Sequence, residues 1–130
     1  NRTTGLPLFY SPFPGGCLKF HVGFDEISEL YWLAANNPRE TNFRDGVEDL
    51  SDRRQMCLWY SRNCFDWNFA GTIAFGPCEN GARSYAQFVI DGADMIVVCR
   101  SGDESASSDH DNNLTTVHRI QDFRSLIGLE

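Results

Sequence analysis

The sequence predicts a mainly β, β-rich α+β domain. The expected form is an antiparallel sandwich or squashed barrel of roughly six to eight strands, with one or two short helices packed on it. Three observations carry this. Short apolar runs of period two recur, as in Leu18-Phe20-Val22, Met56-Leu58-Tyr60 and Phe65-Trp67-Phe69. Asp91-Gly92 stands between two β-branched runs, "RSYAQFVI" and "MIVVCR", which is a hairpin signal. Prolines and glycines cluster in the first sixteen residues and again between the apolar runs.

Taken in order, residues 1–16 read as an extended segment with turns. Residues 17–24 alternate as a half-buried strand. In residues 25–37, Ile27, Leu30, Tyr31 and Ala34 follow helical spacing, Asp25 is placed to cap, and Asn36-Asn37-Pro38 to terminate. The helix is the favoured reading. A strand would put Glu29 on the face of Ile27, Tyr31 and Leu33. Residues 39–54 read as a polar loop with a turn at Asp45-Gly46. "QMCLWY" and "CFDWNFAGTIAF" are strands, and "GPCENGA" is a turn.

The hairpin around Gly92 is expected to bury Phe88 and Ile90 with Ile96 and Val98, while Gln87 and Val89 face away. A loop from Asp91 to Asp94 pairs Ile90 with Met95 and Phe88 with Val97, which conflicts with that face by one residue. Either both faces are covered or a bulge lies near Gly92. "SGDESASSDHDNN" is an acidic loop. Val117, Ile120, Phe123, Arg124 and Ile127 are helically spaced, with Thr115 or Thr116 to cap and Gly128 to stop, so a C-terminal helix is favoured over a strand. No repeat is evident, and 130 residues fit one domain, 1–130.

The net charge of −7 disfavours nucleic acid and anionic membranes as partners. No apolar stretch is long enough to span a bilayer. The chain opens at Asn1 without a recognisable signal peptide, as a mature or trimmed secreted form would. Cys17, Cys57, Cys64, Cys78 and Cys99 occur together with two glycosylation sequons, at Asn1 and Asn113. The combination favours a secreted, extracellular glycoprotein over a cytosolic chain with free thiols. Five is odd, so two bridges would leave one thiol, inert or free to join a dimer.

A short hairpin loop centred on Tyr60-Ser61 would set Cys57 opposite Cys64, close enough for a cross-strand disulfide. The alternative is one continuous strand with the two cysteines on opposite faces. No metal or cofactor is expected. There is no CxxC pair, and the histidines are scattered. The acidic runs, Asp45, Glu48, Asp49, Asp52 and Asp103, Glu104, Asp109, Asp111, match no calcium loop and read as solvated.

The candidate ligand site is Trp59 with Asp66 and Asn68. Alternation separates Trp59 from the face of Leu58 and Tyr60. A solvent-facing indole beside a carboxylate and an amide suits a sugar ring, which needs a flat apolar platform and hydrogen bonds at its edge. The competing reading has Trp59 covering a disulfide. The expected function is therefore extracellular, non-enzymatic recognition of a glycan or a protein partner. A small secreted hydrolase using His21 or His118 with a carboxylate and an arginine is the alternative. A secreted effector, toxin or inhibitor acting by protein contact is the third reading.

Overall fold

The computed structural model describes residues 3–5, 7, 11–16, 18–38 and 52–128. Among these residues, seven strands fall into two antiparallel sheets. The first runs in the order β1 (His21–Asp25), β2 (Leu30–Asn36), β3 (Gln55–Ser61), β4 (Asn68–Phe75). The second runs β5 (Arg83–Asp91), β6 (Asp94–Ser101), β7 (Leu114–Ile120). In both, strands adjacent in sequence are adjacent in the sheet. The fold is mostly β, as expected, and its helical content among the described residues is one 3-10 turn, Phe123–Leu126.

The two sheets share one apolar core. Leu30, Trp32 and Ala34 of β2 and Met56 and Leu58 of β3 meet Ala86 and Phe88 of β5 and Met95, Val97 and Cys99 of β6. Phe123 closes the core, fully buried with its ring edge-on to Trp32 at 4.9 Å. Asn36, also fully buried, donates from Nδ2 to the carbonyls of Gln55 (3.1 Å) and Arg83 (2.7 Å), a polar link between the sheets.

β2 and β3 are buried on their other face too. Leu33, Ala35, Cys57 and Trp59 form a second core, with Val22 and Trp67 packed against it. The segment before β1 lies on this face. Phe13 meets Trp67 edge-on at 5.2 Å, and a Cβ on Gly15 would come within 2.6 Å of the Ala35 Cβ. Only glycine fits there.

This double burial corrects the helix expected over 25–37. A strand covered on both faces is apolar throughout, and a short apolar run does not distinguish strand from helix by period. Asp25 does not cap a helix. It pairs with Leu30 to close a hairpin over the turn 26–29, where Glu29 takes φ 55°. The Asp25 carboxylate accepts from Ser28 N (3.0 Å) and Ser28 Oγ (2.5 Å). It also takes a two-pronged bond from Arg124, Nε at 2.8 Å and Nη2 at 2.7 Å. Hydrogen bonding from Arg124, opposed by burial and aided by Ser28, holds the Asp25 carboxyl well below the usual carboxylate range.

The C-terminal helix is corrected as well. Residues 114–120 pair with β6, Val98 against Val117 and Arg100 against Thr115. The β-branched Thr115, Thr116 and Val117 suit a pleated surface, and the helical spacing of 117, 120, 123 and 127 spans a strand, a turn and a 3-10 turn.

The β5–β6 hairpin forms with the register Ile90↔Met95, Phe88↔Val97, Asp91↔Asp94. Its two-residue loop has positive φ at Gly92 alone, the sign pattern of a type II′ turn. The inward set is Phe88 with Met95 and Val97; Ile96 and Val98 point outward beside Val89, against expectation. The bulge lies between Ser84 and Gln87, not near Gly92. The acidic stretch 102–113 is a loop. The expected turn at Asp45-Gly46 lies outside the described residues.

Candidate functional site

The expected strand from Cys64 to Phe75 begins only at Asn68, because Ser61 and Asn63 fold the chain between them. Ser61 Oγ accepts the backbone N–H groups of Asn63 (3.2 Å) and Cys64 (3.0 Å). Asn63 Oδ1 accepts those of Phe65 and Asp66, both at 2.9 Å. These short polar side chains offer the backbone partners that compete with a ladder. Cys64 sits in the tight part of this loop at φ 61°.

The loop forms one wall of a cleft of about 550 Å³. Asp66, Asn68, Asn63 and Arg62 supply its polar groups; Leu30, Tyr60 and Ile127 supply its apolar ones. Asn63 Nδ2 donates to Asp66 Oδ2 at 2.8 Å, which holds the carboxylate at the cleft wall. The Tyr60 hydroxyl accepts the N–H of Gly128 at 3.0 Å, so the ring is pinned by the C-terminal turn. The guanidinium of Arg62 forms no ion pair with the described residues.

Two of the three residues expected at the site, Asp66 and Asn68, therefore come together. Trp59 does not join them. It is 6% exposed, lies in the second core, and meets Phe69 edge-on at 5.9 Å. The register explains the exchange. Asn68 pairs with Tyr60 and Phe69 with Trp59, so the polar side of β4 falls beside the tyrosine. Alternation put Tyr60 on the core side, where it does pack, but gave no sign that Tyr60 and Arg62 also line the cleft. The one signal for them was the polar run Ser61-Arg62-Asn63 following Tyr60.

The Cys57–Cys64 bridge is corrected. The loop is longer than a symmetric turn, and Cys57 pairs with Thr72 instead, Sγ to Oγ1 at 3.8 Å. Cys57, Cys64, Cys78 and Cys99 are unbridged. Cys57 belongs to the outer core and Cys99 to the core between the sheets, so they do not meet. Burial pushes both thiols up to about 11. Cys64 and Cys78 are half-buried; Cys17 lies outside the described residues.

Of the two sequons, Asn1 lies outside the described residues. Asn113 is exposed ahead of β7, with Nδ2 donating to Asp103 Oδ1 at 2.9 Å. The histidines proposed for acid–base chemistry have other partners. His21 Nδ1 accepts the N–H of Phe88 at 3.0 Å. His118 Nε2 meets Thr116 Oγ1 at 2.9 Å, and burial, with the charge of Arg83, lowers its pKa. Neither forms an ion pair with a carboxylate among the described residues. Among those residues no three His, Cys, Asp or Glu side chains group to hold a metal; Asp45, Glu48 and Asp49 lie outside them. No helix among them is long and apolar enough to cross a membrane. No family model, curated protein or solved structure matches the chain.

Proposed function

We propose that the protein is a non-enzymatic recognition module that acts outside the cell and binds a glycan in the Tyr60–Asp66–Asn68 cleft. The observation that carries this is the convergence of a carboxylate, two amides and a guanidinium on a floor of Leu30, Tyr60 and Ile127. A sugar presents hydroxyls that donate and accept together, above an apolar C–H face. Asp66 accepts, Arg62 donates, and Asn68 does both. Asn63 and Gly128 hold Asp66 and Tyr60 before any ligand arrives, which lowers the ordering cost of binding. The extracellular assignment rests on the exposed Asn113 sequon; the four unbridged thiols add nothing to it.

A glycan array on the intact chain, followed by calorimetry with the sugars it selects, tests the reading. Asp66→Ala and Asn68→Ala should each weaken binding by about tenfold, one hydrogen bond's net worth, with the melting temperature nearly unchanged. A protein that retains no glycan, or that binds equally well without Asp66 and Asn68, overturns it.

A further inference from the structure

We propose a second, separate ligand site on the outer face of the β5–β6–β7 sheet, which takes a sulfate or phosphate ester between Lys19 and Arg100 over the ring of Tyr85. Three cations gather around this one ring: Lys19 Nζ lies 5.1 Å from its centroid, Arg53 Cζ 5.5 Å and Arg100 Cζ 5.7 Å. The chain has only eleven Lys and Arg against eighteen Asp and Glu. Three of the eleven in one place is therefore a concentration of charge against the overall balance.

Lys19 and Arg100 form no ion pair with the described residues. Arg53 donates to the Tyr85 hydroxyl (3.2 Å) and makes a long ion pair with Asp109, Nε to Oδ2 at 3.9 Å. Lys19 and Arg100, two like charges with no partner carboxylate among the described residues, favour an anion between them.

The backbone points the same way. Tyr85 takes φ 52°, in the left-handed region that non-glycine residues avoid, at the bulge where Tyr85 and Ala86 together oppose Cys99. Such bulges re-aim side chains, and strained residues collect at ligand sites. Here the bulge sets the tyrosine ring among the cations.

Lys19, His21, Tyr85, Gln87, Val98 and Arg100 line an open cleft of about 390 Å³. Because His21 Nδ1 accepts from Phe88, the neutral ring carries its proton on Nε2. A neighbouring cleft of about 270 Å³ shares His21, Gln87 and Val98 and continues to Val89 and Ile96. Val89 is 64% exposed. The pair of clefts suits a ligand with one anionic ester and a less polar body. A long polyanion fits poorly, since the acidic 103–111 loop adjoins at Asp109. Neither cleft shares a lining residue with the Tyr60 cleft, so the two proposals stand or fall separately.

Amide NMR titration of the intact chain tests this with four probes: sodium sulfate, sodium phosphate, a monosulfated monosaccharide and its unsulfated parent, each against sodium chloride at matched ionic strength. Saturable shifts confined to residues 19–21, 85–89 and 98–100 are expected for sulfate or phosphate, and whichever saturates first identifies the ester. Lys19→Gln, an exposed and fold-neutral change, should weaken binding about tenfold, as should Arg100→Gln. Shifts that chloride reproduces, that do not saturate, that fall on Tyr60, Asp66 and Asn68, or that survive Lys19→Gln overturn the site.

Discussion

Trp59 and Tyr60 are neighbours in β3 that point to opposite sides; Tyr60 packs against the core between the sheets, as its face predicted, while Trp59, expected at the surface, is buried in the second core. Alternation correctly separated them. What it did not carry was that the second side is covered as well, because that cover comes from Phe13 and Gly15, more than forty positions earlier in the chain. Trp59→Ala should therefore cost about 3–5 kcal/mol, the usual loss for a large buried ring. Equilibrium urea denaturation measures it, and a loss under about 1 kcal/mol, within the range of surface changes, would return Trp59 to the surface. The cysteines give a second expectation at this scale. Cys57 and Cys99 have their thiols raised to about 11 and no route to solvent, so at pH 8 they should react with a thiol reagent far more slowly than Cys64 and Cys78. All should label at once in denaturant. Equal native rates for the four would contradict the two buried positions. Asp66 and Asn68 were legible because polar residues in a mixed strand have few reasons to be buried. Tyr60 and Arg62 were not, since their role depends on how β3 and β4 pair.

At the scale of elements, β3, β5 and β6 were readable as strands, and β2 and β7 were not. β5 and β6 carry turn chemistry at Gly92 and period-two burial, and their register follows from loop length. β2 lacks a polar face, so nothing in its period marks it as a strand. β7 and the 3-10 turn together mimic a helical stripe, although Val117 points outward and Phe123 inward. β4 shows a third case. It carries two extra residues, Ile73 and Ala70, opposite β3, and these bulges turn both side chains toward the core between the sheets. A strict alternation from Phe65 to Phe69 could not anticipate them. The turn at Gly92 yields a clean test. A Cβ there meets nothing within 4 Å, so the cost of Gly92→Ala is conformational alone, about 1–2 kcal/mol for a left-handed residue. Gly92→Asn should cost less. Both are read from thermal melts; a neutral Gly92→Ala would mean the turn relaxes to another type.

For the whole molecule, the Asp25–Arg124 pair joins residues 99 apart and ties the C-terminal turn to the β1–β2 turn. Its carboxylate is 3% exposed and its guanidinium 17%. Because the folded carboxyl titrates well below its ordinary 3.8, the pair contributes full stability above about pH 4 and loses it as pH falls below that value. Asp25→Ala should cost about 3–5 kcal/mol, as breaking a buried pair does, and should flatten the melting temperature between pH 4 and pH 2. An unchanged acid slope would show that other carboxylates set it. A different property follows from the order of the strands. Every described strand of the first sheet precedes every strand of the second, and the turn at 76–82 is the bridge between them. The protein is thus two sequence-contiguous halves whose contact surface is its own core. Cutting the folded chain at a protease site placed after the exposed Glu79 should leave the pieces together as one species. Unfolding would then turn bimolecular, with a midpoint that rises with protein concentration, and the monomer would behave as a heterodimer of its own parts.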